Sequence, residues 1–142
     1  MQGMTTTLDN IQEDFAFLDD WEERYRYIIE LGNDLPPFPE SSRDDAHKVR
    51  GCVSQVWLHT ERGQGPDPVI TFYGDSDAHI VRGLVAIMMA LFSGKRASEI
   101  RQTDAEAVMR ELGLDEHLTP QRANGLRAMV QRIKQEAELS AA

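Results

Sequence analysis

The spacing of apolar residues changes along the chain, and each change marks a different kind of element. Leu8, Ile11, Phe15 and Leu18 recur at helical intervals, with Asp9, Glu13, Asp14 and Asp19 on or near the other side, which predicts a short amphipathic helix over residues 8–18. Asp19-Asp20 interrupts it. Asp20 and Glu23 have capping-box-like spacing ahead of a second helix through Trp21, Tyr25, Ile28, Ile29 and Leu31, and Gly32 reads as its C-terminal stop. Residues 33–46 then carry Pro36, Pro37 and Pro39 among polar neighbours, which predicts an extended connection without regular structure.

Past residue 52 the period falls to two. Val53, Gln55, Trp57 and His59 would share one face of a strand and Ser54, Val56, Leu58 and Thr60 the other. Gly63, Gly65, Pro66 and Pro68 make residues 61–68 a hairpin-type connection, and Val69-Ile70-Thr71-Phe72-Tyr73 is the returning strand. Residues 48–50 are the candidate third strand. Residues 74–78 are predicted to end the hairpin and to supply caps for the next helix, Asp75 and Asp77 among them.

That helix, running to about residue 92, is apolar on most of its circumference through Ile80, Val81, Leu84, Val85, Ile87, Met88, Met89 and Leu91, so it is the predicted buried centre, with its methionines as core filling. Ser93-Gly94-Lys95 breaks it. A short helix over 97–101 follows. Thr103 with Glu106 opens a further helix ending before Gly113, and Thr119-Pro120 sets the cap and first turn of the last one, through Leu126, Met129, Val130 and Ile133. Gly125 inside that last helix costs about 1 kcal/mol relative to alanine, which points to close packing or a functional contact there. The predicted class is α+β: a small antiparallel sheet of about three strands packed against helices.

Length and charge narrow this picture without changing it. A chain of 142 residues fits one domain, 1–142, with residues 1–7 as a flexible lead. A domain of that size buries roughly 70% of its unfolded surface, enough for a core without staples. The net charge of −9 argues against nucleic acid as the main partner. The acidic residues of the first two helices read as a solvated face or as a docking surface for a basic partner. No apolar run approaches the ~20 residues that span a membrane, and residues 1–10 lack an export signal, so a cytoplasmic protein is expected.

The candidate chemistry centres on one residue. Cys52 is the only cysteine, in a short basic segment, His47-Lys48-Val49-Arg50-Gly51-Cys52, that turns into the first strand. It has no internal disulfide partner. As a thiolate it is a nucleophile, and Lys48, Arg50 and His47 would lower its pKa, while Gly51 permits a loop tip; burial as a small apolar side chain is the competing reading. Metal binding is disfavoured: His47, His59, His79 and His117 are scattered, and no paired-cysteine motif exists. A cluster held by this chain alone is disfavoured for the same reason. Gly63-Gln64-Gly65 is not a strand-to-helix phosphate loop. Asp75 and Asp77 form a possible acid–base pair, although capping explains them more simply. A cysteine hydrolase would need a base such as His47 or His79, and nothing marks an oxyanion site. Sulfur exchange needs neither base nor metal.

Four stretches in order carry a resemblance. They are Trp21-Glu22-Glu23-Arg24-Tyr25 with Ile29-Glu30-Leu31-Gly32; the run from Val49 to Leu58 around Cys52; Gly74-Asp75-Ser76-Asp77-Ala78 with Ile80-Val81 and Gly83-Leu84; and His117-Leu118-Thr119-Pro120-Gln121-Arg122 with Gly125-Leu126. Together they resemble the SufE family, including the related CsdE proteins, over nearly the whole chain. The resemblance implies the SufE/IscU-like α+β fold. It implies that Cys52 accepts persulfide sulfur from a partner cysteine desulfurase of the SufS or CsdA kind, stimulates that enzyme, and passes the sulfur to an iron–sulfur scaffold complex of the SufBCD kind. Pyridoxal phosphate would belong to the partner, and this chain would hold no cofactor or metal. Cys52 would sit on a loop tip with its side chain packed inward until the partner draws it out. Arg50, Gly51, Val53 and Ser54 would form its loop, Asp77 would lie beside it, and Arg122 would belong to the desulfurase-contacting surface. His47 and Lys48 stand where family members vary, and Gln121 departs from the expected serine. The implied assembly is a monomer or weak homodimer. An alternative is a docking activator in which Cys52 is only structural.

Overall fold

The computed structural model describes residues 7–51 and 54–141. Thr7, at the end of the expected flexible lead, is the N-cap of helix α1 (Leu8–Phe17) and forms a reciprocal capping box with Asn10. Residues 1–6 lie outside the described residues. Asp20 caps α2 (Trp21–Asn33) by accepting a hydrogen bond from the Glu23 amide.

The two helical patterns therefore form elements close to their predicted bounds, but Gly32 is not a stop. It lies buried in the last turn of α2, where an added Cβ would come within 2.8 Å of the Gly83 amide nitrogen. Gly83 belongs to α3 (His79–Phe92), and a Cβ there would come within 2.0 Å of the Ile28 carbonyl oxygen. The pair lets α2 and α3 touch backbone to backbone, which no larger residue permits.

The core lies around α3. Leu84, Val85, Ala86, Ile87, Met88 and Met89 are all buried in it, as the nearly continuous apolar run requires. One face of the sheet and helices α2 and α7 (Pro120–Ala141) surround it.

The hairpin is β1 (Val56–Arg62) and β2 (Val69–Ser76), antiparallel in a register that pairs Val56 with Ser76 and Arg62 with Ile70. Val56 and Leu58 face the core, as the alternation predicts. The third strand differs from expectation. It is β3 (Lys95–Arg96), paired with Val69 and Ile70 on the far side of β2. Its pairing follows from Ser93, whose hydroxyl accepts from the Phe72 amide and donates to the Phe72 carbonyl, bringing the chain back to the free edge of β2 directly after α3. Residues 48–50 contribute only an isolated bridge, Lys48 opposite Trp57, with the Val49 amide donating to the Val56 carbonyl at 2.8 Å.

Three caps also differ. Residues 74–76 continue β2, and α3 starts after Ala78 with no side-chain cap, so neither Asp75 nor Asp77 caps it. Thr103 donates back to the Glu99 carbonyl at the end of α4 (Ala97–Gln102), leaving Asp104 to cap α5 (Ala105–Glu111). A helical turn, α6 (Leu114–His117), precedes α7, whose first turn is capped as predicted by the Thr119 hydroxyl accepting from the Arg122 amide. The proline-rich connection holds two 3-10 turns, Glu40–Ser42 and Asp45–His47, rather than fully extended chain. Seven α-helices and a three-stranded antiparallel sheet among the described residues make the fold α+β.

Candidate functional site

Cys52 and Val53 lie outside the described residues, so the site is read from what flanks them. Each flank is held by polar ties between segments distant in sequence. On the approach, Arg132 of α7 donates from its two terminal nitrogens to the carbonyls of Lys48 and Ala46, each at 3.1 Å. Its Nε lies 3.3 Å from Glu136 Oε2, and Glu136 Oε1 also accepts from Arg62 of β1 at 2.7 Å. A planar, forked guanidinium suits two neighbouring carbonyls better than an ammonium would. Arg50 is exposed beyond this clasp. Gly51 has φ +93°, the left-handed region that disfavours side chains, and a Cβ there would sit 3.1 Å from the Ala128 methyl. The chain thus turns sharply against the middle of α7.

On the exit side the Gln55 amide donates to Asp77 Oδ1 at 3.1 Å, and the Gln55 side-chain amide donates to Oδ2 at 3.3 Å. In return the Asp77 amide donates to the Gln55 carbonyl at 3.3 Å. Asp77 is exposed, yet its carboxylate ties the start of β1 to the turn between β2 and α3. Asp75 faces elsewhere: Arg43 of the proline-rich connection pairs with its Oδ2 at 2.6 Å, and Arg82 Nε lies 3.1 Å from its Oδ1, an ion pair whose N–H does not point at the oxygen. The hydrogen bond from Arg43 to Asp75 comes first, and that to Glu40 second, in holding the Arg43 guanidinium above its ordinary pKa. The same guanidinium stacks over Phe38 and Trp57. So Asp75 and Asp77 are not an acid–base pair; each anchors a different segment.

Between the flanks lies a small depression of about 30 Å³. Ser54 lines it together with Val81 and Leu84 of α3 and Arg122, Gly125, Leu126 and Met129 of α7. Its described walls are mostly apolar, and it is far smaller than the roughly 300 Å³ and upward of a cofactor pocket. Gly125 is buried there, in keeping with the contact expected of a glycine inside a helix. Arg122 stands on the wall, half-buried, its Nη1 donating to the Tyr25 hydroxyl of α2.

The structure therefore places Gly51 against Ala128 of α7, Ser54 and Arg122 on one depression, and Asp77 on Gln55, with Arg50 exposed. Sequence reasoning missed Gln55, Arg132 and Tyr25. Gln55 is a strand position and Tyr25 part of an apolar face in the local pattern, both also lie in the stretches that carry the resemblance without a role assigned to them, and Arg132 carries no local signal at all. Among the described residues, no group of three or more histidine, cysteine, aspartate or glutamate side chains is arranged to hold a metal. None of the described helices is long and apolar enough to cross a membrane.

The same chain is matched along most of its length by known proteins. The family model described as "SufE: Fe-S metabolism associated domain" matches residues 9–137. An uncharacterized SufE-like protein of Rhizobium meliloti is 63% identical over 134 residues, 94% of this chain and 96% of that one. A second, from Rhizobium etli, is 57% identical over 137 residues, 96% of this chain and 93% of its own length. Among solved structures, the solution structure of a hypothetical protein from Thermus thermophilus is similar with a TM-score of 0.74, covering 94% of each chain. At 21% identity that likeness speaks for the fold alone.

Proposed function

The chain belongs to the SufE family, whose domain is associated with iron–sulfur metabolism, and from that membership we propose that it is a cytoplasmic sulfur-acceptor protein whose Cys52 takes persulfide sulfur from a partner cysteine desulfurase. The Cys52 thiolate attacks the terminal sulfur of the partner's cysteine persulfide. The new bond forms between that sulfur and Cys52 Sγ as the old sulfur–sulfur bond breaks, and the partner's thiolate leaves. A persulfide and a thiolate become a thiolate and a persulfide, so neither oxidant nor reductant is consumed. Removing the sulfur frees the partner for its next turnover, which is the stimulation. A second exchange of the same kind hands the sulfur to an iron–sulfur scaffold. Pyridoxal phosphate serves the partner's chemistry, and this chain needs no cofactor of its own.

The observation that carries this reading is how the residues on either side of the only cysteine are held: the two flanks are tied to different segments, and Ser54 lines a small, mostly apolar depression. A persulfide carried next to Ser54 would have these apolar walls at hand, and susceptibility of a thiol to oxidation falls as its exposure falls. Asp77 keeps the loop's exit in place, and Arg122 meets the partner at the rim.

Incubation with the cognate desulfurase and cysteine, followed by intact mass measurement, should add one sulfur atom to the wild type and none to Cys52→Ala. No gain on either protein while the desulfurase turns over sinks the proposal. Full stimulation by Cys52→Ser would instead favour a docking activator with a structural cysteine.

A further inference from the structure

Two side chains of α2 reach the corner between α6 and α7. Trp21 stacks on His117, ring centroids 4.1 Å apart and 19° from parallel, and Tyr25 accepts the hydrogen bond from Arg122. Trp21 and Tyr25 are four residues apart, so they stand on one face of α2 and form two rungs against the α6–α7 corner. Gly113, before α6, sits so close to Trp21 that an added Cβ would lie 3.0 Å from the indole. Among the described residues, α2 thus supplies two side-chain contacts to the corner that leads into α7.

The bond to Tyr25 is the one hydrogen bond of the Arg122 guanidinium to a described residue, leaving further N–H donors of its five. We infer that Tyr25 is a positioning residue for partner docking: its hydroxyl holds the Arg122 guanidinium at the rim of the depression, ready for an acceptor, a carboxylate by charge, on the desulfurase. This rests on the docking role proposed for Arg122. A free arginine side chain must be immobilised when a partner binds, and immobilising one such side chain weakens binding by about two- to tenfold. Tyr25 has restrained it beforehand. Both residues are half-buried, and the Tyr25 ring packs against the core, so removing the hydroxyl alone leaves that packing intact.

The test uses the full chain with its desulfurase, measuring cysteine turnover against the concentration of this protein. Tyr25→Phe should raise the half-saturating concentration about two- to tenfold while leaving the maximal rate and the unfolding midpoint near wild type. Arg122→Met should raise it at least as much, and adding Tyr25→Phe to Arg122→Met should change nothing further, since the hydroxyl acts through the guanidinium. Raised salt should narrow the gap between wild type and Arg122→Met. If Arg122→Met weakens docking and Tyr25→Phe does not, or if their effects simply add, the positioning role is wrong. If Arg122→Met leaves docking unchanged, the proposed contact of Arg122 with the partner is what fails, and the role of Tyr25 falls with it.

Discussion

The contact between α2 and α3 and the surroundings of the cysteine loop are built by opposite means. Where the helices meet, the ties are apolar and steric: Gly32 and Gly83 bring backbones together, with Ile28, Leu84 and Ile87 buried around them. Around the loop the ties are polar, reach across long sequence separations, and in the case of Asp77 stand exposed. The first kind tolerates almost no change in shape, because a packed interior has no room to give. The second kind loses a bond at a time and leaves the core untouched. The proposed role, in which one side chain is offered to successive partners, would be served by having adjustable ties around it and rigid ones elsewhere.

The largest break in this comparison should come from Gly83→Ala. Alanine would normally favour a helix by about 1 kcal/mol, but here its Cβ would lie 2.0 Å from the Ile28 carbonyl oxygen. The clash wins, and denaturant unfolding should show a loss of about 3 kcal/mol or more. Arg132→Met comes next. It strips two carbonyls of their shared guanidinium and should cost about 2 kcal/mol in the same measurement, with sulfur acceptance at Cys52 falling by more than the stability loss explains. Asp77→Ala, on the exposed exit tie, should cost about 1 kcal/mol or less, so a larger loss than that of Arg132→Met would overturn the ranking of the two flanks.

The smallest effect is one of pH. Asp44, in the approach to the loop, is hydrogen-bonded by the side chain and then by the amide of His47, and these bonds hold its carboxyl below the ordinary value of 3.8. A carboxyl depressed in the folded state contributes stability that is fully present above 3.8 and is lost as pH falls through the lower folded value. Asp44→Asn should therefore flatten the acid limb of the unfolding midpoint plotted against pH, and leave the neutral region nearly unchanged. An acid limb identical to wild type would show that this tie contributes nothing.

How far the sequence could be read depended on the range of the interaction. The helices starting at Leu8 and Trp21 and the helix through Met88 and Met89 follow from local periodicity, and the hairpin from alternation around a glycine–proline turn. The Asp20 and Thr119 caps act within three residues and were visible for that reason. The same local logic fails at Gly32, Asp75, Asp77 and Thr103. A glycine near a helix end resembles a stop, and an aspartate or threonine before a helix resembles a cap, unless something distant has claimed them. Here Gly83 claims Gly32, Arg43 claims Asp75 and Gln55 claims Asp77, while Thr103 turns back to Glu99. Residues 48–50 suggest a third strand because they flank the hairpin in sequence; the edge of β2 is instead filled by the chain leaving α3.

By itself the sequence determined the longer helices and the β1–β2 hairpin, that α3 is the centre, and that the chain has one thiol to work with. Those follow from the spacing of apolar residues and from composition, both properties of the chain read a few residues at a time. Only the tertiary structure decided that β3 lies at Lys95–Arg96, that α2 and α3 touch through two glycines, and that Arg132, Asp77 and Tyr25 from three separate elements serve the loop and its rim. Such pairings join residues many positions apart, and their energy exists only once the apolar core has brought them together.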